Sequence, residues 1–213
     1  MTSHPFIGMD ELIKETRWTR VYERDDGSKS IRSKFNTDGL SIASAELKDL
    51  WSQWDEGERV EFAQAFSVKD GVSPDDCESL EFMMKNGSDM VASAVAMKSA
   101  MCLDGGAAFD LIAARLGDAN NVPKSNFFQA LGKLGDQRGA AVLEGFRGSL
   151  AGEVASETVA IDVVVDYLSC CTALAMLTGN GAYMRYVEPY LEDHRESIRW
   201  VARVMIENRL KQT

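Results

Sequence analysis

From about residue 41 onward, apolar residues recur at i, i+3, i+4 and i+7 in short blocks. Each block stops at a glycine, asparagine or proline turn. This restricts the chain to short helices that bury one stripe each. The clearest block is Leu191 to Leu210, LEDHRESIRWVARVMIENRL. Ile198, Val201, Ala202, Met205 and Ile206 share one face, and Glu196, Arg199, Arg203 and Glu207 fall opposite. Tyr183 to Leu191 predicts an amphipathic helix before it. Two antiparallel helices around a short turn cannot bury both faces alone, so they require neighbours of the same kind.

The rest of the chain supplies them. Ile42 to Trp54 places Leu47, Leu50, Trp51 and Trp54 on one face, with Ser44 as the expected cap. Glu58 to Val68 follows. Ser73-Pro74-Asp75-Asp76 is a helix start, with a capping serine, a first-turn proline and acids at the positive end. That helix stops at Asn86-Gly87, Ser88 opens the next through Met101, and Asp104-Gly105-Gly106 ends it. Ala107 to Leu116, Phe127 to Leu134 capped by Ser125, and Arg138 to Leu150 are the next predicted helices. Gly139, Gly145 and Gly148 either weaken the last of these or permit close helix approach. Ser156 or Glu157 to Thr178 is apolar nearly all round, as a central helix is.

Residues 1–40 differ. Thr19 to Arg24 and Ser30 to Phe35 flank Asp25-Asp26-Gly27-Ser28, which predicts a β-hairpin or, failing that, a mobile arm. The organisation expected is therefore an arm or hairpin over 1–40 and an α-helical domain over 41–213. Pairs of short helices with tight turns favour a solenoid over a closed bundle of longer ones. Small residues at Ala65, Ala94, Ala130, Ala173 and Ala202 recur at intervals that suit helix-pair repeats.

Two stretches carry more specific wording. Phe127 to Asp136, FFQALGKLGD, resembles the second helix of a HEAT repeat of the phycobilisome-lyase type. Asp193 and Arg199 match the turn aspartate and second-helix arginine of a HEAT consensus. The resemblance implies an all-α, right-handed helix-pair solenoid of about five pairs. It also implies that Asp193 and Arg199 form a rung of a polar ladder, and that the second helices line a concave binding face.

The net charge is −10. Outside residues 11–34 acids outnumber bases, so a phosphate backbone is not the expected partner. Asp162 and Asp166 break the longest apolar segment, which reads against a membrane span. The N-terminus shows no secretory pattern, and Cys77, Cys102, Cys170 and Cys171 read as small core residues, so a cytoplasmic setting is expected. No metal box, phosphate loop or nucleophile elbow is present, and neither a metal nor a cofactor is expected. His4 and His194 read as solvated. Asp162 and Asp166, one helical turn apart, could do acid–base work if both were buried, and otherwise mark a solvent edge. Trp18, Trp51, Trp54 and Trp200 are read as packing residues, with an aromatic-lined groove as the alternative.

The leading expectation is a non-catalytic module that binds a protein or peptide, such as an acidic segment, on a strip of Lys98, Gln129, Lys133, Arg199 and Arg203. One alternative is an enzyme, because HEAT-like repeats also occur in chromophore lyases and alkylpurine DNA glycosylases. Another is a homo-oligomer joined through the terminal repeat, whose last helix keeps Val201, Val204, Met205 and Leu210.

Overall fold

The computed structural model describes residues 11–15, 19–23, 29–33, 42–68, 73–120, 122–156 and 158–210. Three strands come first: β1 (Glu11–Glu15), β2 (Thr19–Glu23) and β3 (Lys29–Ser33), forming an antiparallel sheet in the order β1-β2-β3. The β2–β3 register runs from Thr19 opposite Ser33 to Glu23 opposite Lys29. The expected Asp25–Ser28 turn, Trp18 and His4 lie outside the described residues. β3 touches the helical body at its second helix.

That body is all-α. Its helices are α1 (Ser44–Trp51), α2 (Glu56–Ala65), α3 (Pro74–Asn86), α4 (Asp89–Cys102), α5 (Gly105–Asp118), α6 (Ser125–Leu134), α7 (Arg138–Glu153), α8 (Ile161–Thr178) and α9 (Glu196–Leu210). Two 3-10 helices, η1 (Gly181–Tyr186) and η2 (Glu188–Glu192), separate α8 from α9. They replace the single amphipathic helix expected over Tyr183–Leu191. Pro189 has no N–H and crowds the preceding turn, so one continuous helix cannot run through it.

Several caps follow local rules. Ser73 and Asp76 form a reciprocal capping box on α3, with Pro74 in the first turn. Asp55 and Glu58 do the same for α2. Gly135 (φ 72°) and Gly179 (φ 68°) end α6 and α8 in the left-handed region. Three sequence readings shift. Ser44 lies inside α1 and donates to Glu78 of α3 at 2.8 Å instead of capping. Gly105 and Gly106 open α5 behind Asp104, whose carboxylate accepts the N–H groups of Gly106 and Ala107. Ser125 is the first residue of α6, and the cap comes from another helix.

Packing is successive. α2, α4, α6, α8 and α9 each touch the next in that series. α1, α3, α5 and α7 do likewise, and α3 with α4, α5 with α6 and α7 with α8 meet as neighbours in sequence. One apolar core runs through these contacts, from Leu47 and Phe62 through Phe127 and Phe128 to Ile198 and Ala202. Burying each of the large side chains stabilises the fold by about 1.5–3 kcal/mol.

α8 is central, covered by α6, α7, η1 and α9. Leu168, Cys170, Cys171, Leu174 and Ala175 are wholly buried on it. The expectation that acids shorten every apolar run below a spanning length does not hold here. By length and composition alone, 18 residues including Asp162 and Asp166 are long and apolar enough to cross a membrane. Most of that helix is instead buried against its neighbours.

Candidate functional site

α8 turns one face away from the core. Val165, Ser169, Thr172 and Met176 recur along it at steps of four, three and four, which is one helical stripe. This stripe is the floor of a groove of about 480 Å³. α6 gives one wall with Gln129 and Lys133, and α9 gives the other with Trp200, Val201, Val204, Met205 and Asn208. Met97 of α4 joins at the α6 side. The volume falls within the usual range for ligand sites.

The lining is mostly apolar, with few polar groups. Trp200 is 63% exposed, an unusual state for an indole. Trp51 and Trp54, by contrast, are buried and pack on each other with ring centroids 6.2 Å apart. Lys133 is exposed and is the one formally charged side chain in the lining among the described residues. Ser169 is wholly buried, and its hydroxyl has no hydrogen-bond partner among the described residues. A buried hydroxyl left unpaired costs about 1–3 kcal/mol.

Of the five residues expected on a binding strip, the groove brings together Gln129 and Lys133. The other three are elsewhere. Lys98 donates from Nζ to the carbonyls of Ala63 (2.8 Å) and Gln64 (3.1 Å), closing the C-terminal turn of α2. Burial there lowers its pKa to about 8. Arg199 donates from Nη1 to the carbonyls of Asp193 (2.8 Å) and His194 (3.0 Å). Arg203 is exposed and outside the groove.

The expected rung between Asp193 and Arg199 takes a different form. The Asp193 carboxylate receives Nε and Nη2 of Arg195, each at 2.9 Å, and the Arg195 N–H at 2.8 Å. Arg195 also donates to the carbonyl of Val159 at 2.9 Å. These bonds hold the Asp193 pKa down at about 2. The same device occurs at Asp136-Gln137-Arg138, where the Asp136 carboxylate takes the Arg138 N–H (3.0 Å) and its guanidinium. An aspartate bonding the backbone two residues on favours a turn, and the arginine at that position completes a fork.

Asp162 and Asp166 line a second groove with Lys124, Ser149 and Glu153. Asp162 is exposed and Asp166 is buried. Asp166 accepts the N–H of Lys124 at 2.9 Å and of Ser125 at 2.7 Å, so it caps α6 from α8. Burial pushes its pKa up against the pull of these donors. Its chemistry is therefore committed to holding two helices together. Among the described residues no cluster of three or more histidine, cysteine or acidic side chains is placed to hold a metal ion.

Sequence reasoning missed most of the groove. Helical spacing places Val165, Ser169, Thr172 and Met176 on one stripe, but nothing in a helix that is apolar nearly all round marks that stripe as facing a groove. Trp200 stands beside an apolar stripe in the sequence, and of its two readings, packing or an aromatic-lined groove, the structure places it on a groove wall. No family model, no curated protein and no solved structure matches the chain.

Proposed function

We propose that the chain is a non-catalytic protein-binding module, a HEAT-like array of about five helix pairs that seats a partner segment in the α6–α8–α9 groove. The successive packing of α2, α4, α6, α8 and α9 on one side, and of α1, α3, α5 and α7 on the other, supports the array. The observation that carries the binding reading is Trp200. A large indole held 63% exposed on the wall of a mostly apolar groove is a poor arrangement for stability and a good one for binding. The exposed acids Glu153 and Asp162 in the neighbouring groove disfavour a nucleic-acid backbone.

The test is site-directed photo-crosslinking in cells that make the protein. A benzophenone side chain replaces Asn208 in the groove or Asp110, which is exposed on α5. One protein captured from position 208, absent from position 110 and lost with Trp200→Ala, is the expected result. Equal capture from both positions, or none from 208, rejects the groove as a protein site.

A further inference from the structure

The form of the groove restricts its occupant, given the reading of it as a protein-binding site. The floor stripe from Val165 to Met176 is about 17 Å long at helical rise, or three turns. Its walls are two helices that both pack on α8. A cleft between two helices above a third has the shape that a further helix fills.

An extended segment fits less well. Its backbone N–H and C=O groups would lie against Val165, Met176, Val201 and Met205, where they find no sheet edge to pair with. A helix satisfies those groups internally. The methionines Met97, Met176 and Met205 give the lining a deformable surface suited to helix side chains of varied shape.

Charge narrows the choice further. The chain carries −10 overall, and among the described residues Lys133 is the only formal charge in the groove lining. One carboxylate is therefore attracted at one place, while a run of acids would meet the general repulsion of the protein.

We propose that the occupant is an amphipathic helix of a partner protein, about three turns long, seated by an apolar stripe. A single acidic side chain pairs with Lys133. This refines the expected acidic segment to one acid at a fixed position on an otherwise apolar face.

The experiment selects helices rather than assuming one. A library of helical peptides, randomised on one face and displayed on a stable helical scaffold, is panned against the full chain and counter-selected against the Trp200→Ala chain. Circular dichroism establishes that each variant is folded, and sedimentation reports the oligomeric state. The expected winners carry apolar residues at i, i+3, i+4 and i+7 with one Asp or Glu at a constant position. Lys133→Glu weakens the best synthetic peptide by about tenfold or more, and reversing the peptide's acid to lysine restores binding.

Winners that depend on Trp200 but ignore Lys133→Glu, or carry several acids, overturn this inference and leave the protein-binding reading standing. Absence of any Trp200-dependent winner also overturns this inference alone, because a helical library does not sample extended partners, whereas failure of the position-208 crosslink overturns both.

Discussion

Gly132 of α6 faces Ala173 of α8 so closely that a Cβ on Gly132 would lie 2.9 Å from the Ala173 Cα. The two helices meet backbone to backbone at this point, and both side chains must be small. The crossing sets the spacing between the α6 wall and the α8 floor of the groove. Its consequence is specific. Gly132→Ala is expected to destabilise by about 1–3 kcal/mol through overpacking, in spite of alanine's better helix propensity. Gly148→Ala, where a Cβ meets nothing within 4 Å, is expected to stabilise by about 0.5–1 kcal/mol. Urea unfolding of the two variants measures opposite signs if the crossing is as described.

Asp166 supports the same pair of helices from the other end. Asp166→Ala leaves the Lys124 and Ser125 N–H groups without their acceptor and is expected to cost about 1–3 kcal/mol. Asp166→Asn keeps one acceptor oxygen and costs less. The pH dependence has a definite sign. The folded-state pKa is raised, so the native chain takes up the proton before the unfolded chain does. The wild type therefore gains stability relative to Asp166→Asn as pH falls through the raised pKa towards the ordinary carboxylate value. Paired denaturation curves across that window check it.

Asp193 behaves in the opposite way. Its pKa is depressed to about 2, so its contribution is fully present above the unfolded value near 3.8. That contribution disappears as pH falls through about 2. Asp193→Asn is expected to cost about 1–2 kcal/mol at neutral pH, with the difference from wild type closing between about pH 4 and 2. A difference that stays constant down to pH 2 would show that the Arg195 fork contributes nothing through charge.

The thiols should separate by position. Cys170 and Cys171 are wholly buried in α8, and the Cys170 thiol donates to the Leu143 carbonyl at 3.2 Å. Burial raises both, Cys171 to about 11, and also raises Cys102 to about 11. Half-buried Cys77 is expected to react first with an aromatic disulfide reagent at pH 8, with all four reacting after denaturation. Mass mapping of the modified peptides gives the order. Early modification of Cys170 or Cys171 would mean that the α8 core opens in the native state.

What the sequence determined by itself is the local structure. Ser73, Pro74 and Asp76 act on the turn that contains them, so the start of α3 is readable from four adjacent residues. The stops at Gly135 and Gly179 are likewise readable, because a left-handed backbone angle is a property of one residue. The apolar stripe of α9 is readable because helical spacing alone places Ile198 and Ala202 together, and both are buried.

Only the tertiary structure decided where the free polar groups go. The N-terminal N–H groups of α6 require an acceptor, and Asp166, about 40 residues later, supplies it in place of Ser125. The last carbonyls of α2 require a donor, and Lys98, more than 30 residues later, supplies it and is removed from the expected binding strip. Arg195 reaches the Asp193 carboxylate while Arg199 is drawn to the turn carbonyls, a choice that sequence spacing does not distinguish. The groove has the same origin. Gln129, Ser169 and Trp200 lie on three helices, and only the packing of α6 and α9 on α8 turns them towards one space. Helical periodicity identifies which residues share a face, whereas the satisfaction of unpaired backbone groups and the crossing of helices decide which faces meet.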